Sequence, residues 1–568
     1  MTQRLLLGFR RRRLRGWLIA LAVITGLTAN LTGATVAVAE PSEPSEPSET
    51  VEVVEAAEWA DENELGLTGY ISPDIDYQII NETDYSQAFD HNVRLPTSLD
   101  LRYTIGAVRN QGSNGDCWAF AATASASSGL AAGGQAGPEL STLHLDNAVY
   151  NELGIHSYSG RAADFTRDGG NALLTVGAWS KWYGAQTAAD YPRDSGSTRY
   201  TLSQINSSAY RLEGMYIFPG PRDGNRVYLP ENVAATKQAM LQYGVLYVGY
   251  YADGGQTGNR ASDAYNPATA AYYYPDIKGS AWNGAYRANH AVALVGYDDS
   301  YPASNFSTTP PGDGAWLAQN SWGDGWGDGG YFWLSYYDYT TEPSYYFDLE
   351  APRSNIDYNF FHDDGPSTKS VSYGGRQITG ANVFTVPEGG AKVIRAVSFY
   401  AGQPNRDYEI AIYKNPPTGK PTGGTRLDIA VGEGETVKGH IDFSGFHQVD
   451  VAGVRLEPGE TFAVVITITA TVPGSATLSM EGSMGQHVAY VDVAPGQSYS
   501  SNNGGTSWTD LYSKGGNLSI KAMAGPPQVF EFNLQELFKV LLNLIKNLIS
   551  QMLSSLWAIS PVTTTTLP

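Results

Sequence analysis

The sequence predicts an α+β domain of two lobes followed by an all-β sandwich. Three observations carry that expectation. Helical periodicity dominates from residue 117 to residue 243, and strand-like runs take over from residue 245 to residue 337. Beyond about residue 357 short β runs alternate with Gly, Pro and Asn, and no long helical pattern interrupts them. The composition agrees: 42% of the 568 residues are apolar and 16% charged, with 63 Gly and 37 Tyr. Such a chain is globular and rich in strands and loops, not disordered, collagenous or coiled-coil.

The first 39 residues read as an export segment. Arg10 to Arg13 and Arg15 precede an apolar run from Gly16 to Ala29, and Ala37-Val38-Ala39 fits a small-x-small cleavage pattern ahead of Glu40. The formal charge of the whole chain is −21, and losing this segment removes six arginines and no acid. A surface that acidic disfavours a bulk nucleic-acid binder, because a phosphate partner wants a basic surface. Residues 40 to 64 carry ten acids and no base and include PSEPSEPSET, a self-repelling spacer. Residues 65 to 94 form a short arm with aromatic and β-branched side chains. It is too small for a core of its own and has to lie on another part of the chain.

Residues 95–356 form the next unit. Helices are expected over Cys117 to Leu130, Leu140 to Leu153, Ala172 to Tyr183 and Val233 to Tyr243, the last stopped by Gly244. Strands are expected over Val245 to Tyr250, Ala291 to Tyr297, Ala315 to Gln319 and Tyr331 to Tyr337. Residues 251 to 289, rich in Tyr, Gly, Asn and Asp, read as a long surface excursion. Residues 357–525 supply the sandwich, with strands such as Ile394 to Tyr400, Tyr408 to Tyr413 and Thr461 to Thr469. In residues 526–568, apolar side chains from Leu534 to Trp557 recur at helical spacing, interrupted by Asn543, Lys546, Asn547 and Gln551, which makes a poor bilayer span. Packing on its own protein, self-association and contact with a membrane surface all remain open for that helix.

The chain has one cysteine, so no intramolecular disulfide and no multi-cysteine metal site can form. Cys117 stands at the start of a predicted helix, where unpaired N–H groups favour a thiolate. A buried, inert cysteine is the plain alternative. His290 precedes a predicted core strand and could deprotonate the thiol and later protonate a leaving amine. Asn320 follows another strand, and its carbonyl could fix the imidazole tautomer, with Trp322 shielding that bond. Gln111 could donate to an oxyanion beside the Cys117 backbone N–H.

Taken together, these residues resemble the papain-like cysteine peptidases. Gln111-Gly112 and Cys117-Trp118-Ala119-Phe120 are similar to the nucleophile block. His290-Ala291-Val292 is similar to the histidine block, and Asn320-Ser321-Trp322-Gly323 with Gly325-Trp326-Gly327 to the asparagine block. Gly169-Gly170 resembles the paired glycines whose backbone binds extended substrate, and Leu95 to Arg102 the mature start. The resemblance implies a helical lobe against a β-rich lobe, protein or peptide substrates, and hydrolysis through an acyl-enzyme with no required cofactor. A transpeptidase or exopeptidase on the same fold, and a catalytically quiet surface adhesin, are the alternatives. It also implies an N-terminal segment, residues 65 to 94, lying through the cleft against the substrate direction and holding the enzyme off.

Residues depart from the family pattern at several positions. Asn114 and Arg167 stand where the family usually has a disulfide, so packing and hydrogen bonds have to hold the cleft. Asp116 adjoins the nucleophile and would raise the thiol pKa. Asn171 and Asn289 make the second subsite more polar. Residues 357–525 resemble the lectin-like sandwich that follows such a catalytic unit in exported or cell-surface bacterial members, on Phe361-His-Asp-Asp-Gly365, Leu456-Glu-Pro-Gly-Glu460 and Gly496-Gln-Ser-Tyr499. The lectin-like shape does not by itself establish sugar binding, and a cell-surface or glycan partner, a docking surface and a structural module are all open there. Asp324, Asp328, Asp363 and Asp364 are oxygen ligands of the kind calcium takes, although surface turns use the same residues. The other histidines (His91, His144, His156, His362, His440, His447 and His487) have no metal-ligand spacing.

Overall fold

A computed structural model describes residues 52–55, 69–73, 93–150, 169–193, 198–223, 226–253, 263–275, 288–430, 436–483 and 491–527, with isolated positions between 80 and 89. The export segment, most of the acidic spacer, position 167, residues 254–262 and 276–287 of the excursion, and the C-terminal apolar helix lie outside the described residues. Among the described residues no helix is long and apolar enough to cross a membrane.

The helical lobe is built on Cys117–Gly129, a run of Ala and Ser with Trp118 and Phe120 that is buried from Cys117 to Ser128. Small side chains on every face let neighbours close in on the helix from all sides. Thr142–Tyr150 and Ala172–Trp179 pack beside it. Pro230–Tyr243 begins with Pro at its first turn and ends at Gly244, where φ is +119°.

The β-rich lobe pairs Leu246–Tyr250, His290–Asp298, Ala315–Gln319 and Tyr331–Ser335 in antiparallel succession. These are the four expected strands, shifted by a residue or two at their ends. The surface-excursion reading of residues 251 to 289 needs correction at its middle. Ala271–Tyr272 is buried and adds a parallel strand beside Trp333 and Leu334. The apolar Ala-Ala-Tyr-Tyr run inside a polar segment is what brings it in.

Two further strands were not anticipated, Arg211–Phe218 and Ser344–Glu350. They join the two units. Ser344–Glu350 pairs with Leu246–Tyr250 on one side and Arg211–Phe218 on the other. Arg211–Phe218 then pairs with Gly445–Leu456 of the sandwich, Gly445 opposite Tyr216 and His447 opposite Gly214. One sheet of 13 described strands therefore runs from the β-rich lobe into the sandwich. Gly445 permits the crossing: its φ is +131°, and a Cβ there would stand 1.9 Å from the Met215 carbonyl oxygen. Arg353 spans the same seam, with one 2.5 Å bond to Glu213 and another to Asp450.

The second unit is a two-layer sandwich. Lys392–Ala401, Gly445–Leu456 and Ile520–Gly525 form one layer. Gln377–Thr385, Arg406–Lys414 and Thr461–Ala470 form the core of the other. Between them lie Ile394, Val397, Ile410, Ile412, Phe462, Val464 and Ile466, all buried. The strand Glu52–Glu55, from the acidic segment, pairs antiparallel with Ser367–Ser372 at the edge of this unit. The arm that follows is tied down on both units. Tyr85 stacks on Phe443, and Phe89 packs on Phe218.

Candidate active site

Cys117 is the first residue of its helix and is wholly buried. The Ala291 backbone N–H lies against its sulfur, so the strand His290–Asp298 passes the thiol one residue after His290. His290 Nε2 and Asn320 Oδ1 are 2.8 Å apart. Trp322 stacks on the imidazole, with centroids 4.7 Å apart and planes at 25°. The other ring nitrogen, Nδ1, has no hydrogen-bond partner among the described residues. Burial pushes the His290 pKa down to about 4, and the bond from Asn320 works against that shift. Burial likewise pushes the thiol up. The Ala291 N–H and the helix N-terminus oppose the rise, and Asp116 adds to it as expected.

Gln111 is held from both sides. Its N–H donates to Ser321 O at 2.8 Å, Ser321 Oγ donates to its Oε1 at 2.5 Å, and its Nε2 donates to Asn114 O at 2.7 Å. Ser321 follows Asn320 directly, so a single turn positions both the imidazole partner and the amide.

A polar network holds the loop ahead of the nucleophile. The Arg193 guanidinium donates to Asp116 Oδ2, to Thr142 Oγ1 at 3.1 Å and to Gln111 O at 3.1 Å, and it lies 5.0 Å from the centre of the Phe120 ring. It thus ties together both ends of the loop that carries the nucleophile. Asp146 lies beside Asp116, and burial raises the pKa of both carboxyls. Arg193 stands 77 residues from Asp116 in a loop without a motif, so nothing in the sequence signalled this role.

The arm lies across the cleft. Tyr70 bridges to Gly170 in parallel. Gly170 N donates to Gly69 O at 2.8 Å, Ile71 N to Gly170 O at 3.0 Å and Tyr70 N to Asn289 O at 3.1 Å. The structure thus places Gly170 and Asn289 at this contact through their backbones, with Gly169, whose carbonyl accepts from the Tyr150 hydroxyl, packed beside Gly69. The side-chain oxygens of Asn171 and Asn289 each take a backbone N–H. Asn171 Oδ1 accepts the Leu174 N–H and caps Ala172–Trp179. Asn289 Oδ1 accepts the Ala252 N–H at 2.7 Å. The polar group that meets the arm is Glu342, which sequence reasoning missed because it sits in an unremarkable polar run. Tyr70 Oη donates to its Oε2 at 2.7 Å, and Ser72 Oγ donates to its Oε1.

The four carboxylates proposed for calcium are not gathered. No group of three or more His, Cys, Asp or Glu side chains among the described residues is arranged to hold a metal ion. Asp363 is paired with the buried Lys521 ammonium, and Lys181 Nζ donates to Asp364 O at 2.6 Å. Asp324 and Asp328 belong to the glycine-rich turn between Ala315–Gln319 and Tyr331–Ser335, where Asp328 N–H bonds Tyr331 O.

The family model described as papain family cysteine protease matches residues 95–205 and 259–342, and the lectin like domain model matches residues 360–524. The chain carries a papain-like cysteine protease domain fused to a lectin-like domain. A solved structure of the cysteine protease and lectin-like domains of Cwp84, a surface layer associated protein of Clostridium difficile, shares this architecture. Its TM-score is 0.66 at 21% identity, covering 84% of this chain and 99% of that one. The clostridial protease Cwp84 after propeptide cleavage matches with a TM-score of 0.60 at 22% identity, over 75% of this chain and 97% of that one. The protease domain is also similar to a cysteine protease of Blomia tropicalis, 26% identical over 240 residues, which is 42% of this chain and 60% of the relative. A cathepsin L-like protein of Caenorhabditis elegans is 27% identical over 275 residues, 47% of this chain and 66% of the relative. The chain therefore spans about two thirds or less of the curated relatives it matches first.

Proposed function

We propose that the chain is an exported, cell-surface cysteine endopeptidase made as a zymogen. The observation that carries this reading is the His290–Asn320 pair at 2.8 Å, on the strand whose Ala291 N–H touches the Cys117 sulfur. In the reaction His290 Nδ1 takes the Cys117 proton, and the thiolate attacks the scissile carbonyl. The oxyanion is met by the Cys117 N–H and the Gln111 amide. As the C–N bond breaks, His290 returns the proton to the leaving amine, and water then hydrolyses the thioester.

The zymogen reading is supported by the arm. Gly69, Tyr70 and Ile71 take the Gly170 and Asn289 backbone groups, and Cys117 and His290 beneath are both fully buried. The parallel bridge to Gly170 agrees with a segment that runs against the substrate direction. The surface reading draws on the export segment and on the shared architecture with Cwp84, described as a surface layer associated protein.

The test is to label Cys117 with a thiol-directed peptidyl electrophile and to follow peptide hydrolysis by the processed chain. Cys117→Ala is expected to abolish turnover with an unchanged thermal transition. Asn320→Ala is expected to lower kcat/KM by about tenfold to a thousandfold, less than His290→Ala, because one tuned hydrogen bond is worth about 1–4 kcal/mol in the barrier. Near-normal turnover in Cys117→Ala ends the proposal.

A further inference from the structure

We infer that Asp146 and Arg193 are positioning residues of the peptidase: each holds one side of the Asp116 carboxyl, and between them they keep that group off the helix end that serves the Cys117 thiolate. This rests on the endopeptidase reading and adds to it the device that sets the pH range of the nucleophile. Asp116 is the N-cap of Cys117–Gly129, yet its side chain makes no capping bond. An aspartate in that place ordinarily accepts the N–H two or three residues on, here Trp118 or Ala119. The Ala119 N–H is already held by the Asp116 carbonyl at 2.9 Å, and the Trp118 N–H is one of the groups that favour the thiolate. A carboxylate free to turn would therefore compete with the sulfur for Trp118 and set its charge beside it.

Two contacts and one proton prevent that turn. The Arg193 guanidinium donates to Asp116 Oδ2 and, through its other nitrogen, to Gln111 O at 3.1 Å. Asp146, from the helix Thr142–Tyr150, stands within hydrogen-bond reach of Asp116, and both residues are 1% exposed. Each has one buried oxygen without a hydrogen-bond partner among the described residues, Oδ1 on Asp116 and Oδ2 on Asp146. Two carboxylates repel each other, whereas a carboxylic acid donating to a carboxylate satisfies both. Asp146 is the member that keeps the proton, because burial and the Asp116 charge both raise its pKa while Arg193 pairs directly with Asp116. The other charged groups facing Asp116 among the described residues are Arg109 and the thiol itself. Arg109 is occupied by Leu140 O, Thr123 Oγ1 and, at 3.5 Å, Glu139. One guanidinium, one carboxylate and one acid thus sum to zero charge next to the nucleophile.

The experiment uses the full chain after its own processing. Cys117 is the one cysteine of the chain, so the rate of alkylation by iodoacetamide against pH reads its thiolate alone. Asp146→Leu removes the donor and is expected to move the alkylation midpoint, and with it the acid limb of kcat/KM, up by about one pH unit, or about tenfold in rate below the midpoint, with KM within about twofold. Asp146→Asn puts an amide N–H in place of the acid and is expected to restore the native midpoint. In an Asp116→Ala background, Asp146→Leu is expected to move nothing, since no carboxylate is left to turn. Should Asp146→Leu not fold, the infrared difference between the native chain and Asp146→Asn at neutral pH is expected to show the carbonyl band of a protonated carboxyl in the native chain. A native midpoint in folded Asp146→Leu, an equal shift in Asp146→Asn, a shift that survives in the Asp116→Ala background, or a difference spectrum without that band overturns the inference. Peptide cleavage by the native chain in the same series leaves the peptidase reading standing. No alkylation and no cleavage by the native chain overturns both.

Discussion

Gly69→Ala is expected to release the enzyme from its own N-terminal arm. Gly69 has a φ of +83°, and a Cβ there would stand 2.1 Å from the Cα and carbonyl oxygen of Gly115. Both are backbone atoms of the loop leading to Cys117, so no side chain can swing away to make room. The left-handed backbone costs about 1–2 kcal/mol for a residue with a Cβ. Lifting the arm also forfeits the three backbone hydrogen bonds that join Gly69, Tyr70 and Ile71 to Gly170 and Asn289. An arm that lifts is relieved of that strain, so these bonds bound the loss: at about 0.5–1.5 kcal/mol each, roughly 1.5–4.5 kcal/mol, or at least about tenfold in inhibition. The assay records the lag and the initial rate of the full chain on a fluorogenic peptide. In parallel it records inhibition of the processed enzyme by peptide 66–76 with and without the change. Gly133→Ala is the control, since Gly133 shares the left-handed conformation (φ +59°) but has nothing within 4 Å of its Cβ position. A Gly69→Ala chain that keeps its full lag, with a peptide inhibiting within threefold of the native one, would refute the reasoning.

Two further outcomes follow from buried charge. Arg193→Ala leaves Asp116 and Asp146 buried without their guanidinium and should cost about 3–5 kcal/mol in chemical denaturation. Asp146→Asn leaves one carboxylate for one guanidinium and should cost under about 1 kcal/mol; equal losses would contradict the assignment. His447, half-buried with Nε2 2.9 Å from Phe443 O, has its pKa pushed down to about 4 by the loss of water around its ring. The unfolded chain therefore binds more protons here, so this contribution is complete above about pH 6.5 and is lost as pH falls through 4. The unfolding free energy of the native chain relative to His447→Gln should drop by about 2–3 kcal/mol between pH 7.5 and 4.5, and an unchanged difference would exclude the effect.

Order and spacing along the chain were enough to anticipate the nucleophile helix, the four strands of the β-rich lobe and the presence of a sandwich, because local periodicity and helix ends are properties of neighbouring residues. Cys117, His290 and Asn320 stand at or next to the ends of such elements, so their places in the fold followed from the same local signals. The tertiary structure decided what depends on distant residues meeting. Asn171 and Asn289 were expected to make the second subsite more polar; the fold also sets their side-chain oxygens on the Leu174 and Ala252 N–H groups, since unpaired N–H groups bind the nearest carbonyl. The acid that meets the arm is Glu342, and the guanidinium that ties the nucleophile loop is that of Arg193. Neither carries a local signature, because a hydrogen bond between residues far apart in the chain leaves no period in the sequence. The seam between the two units was equally silent. Its strands Arg211–Phe218 and Gly445–Leu456 lie more than 200 residues apart, and only the folded register places the left-handed Gly445 where the Met215 carbonyl needs space.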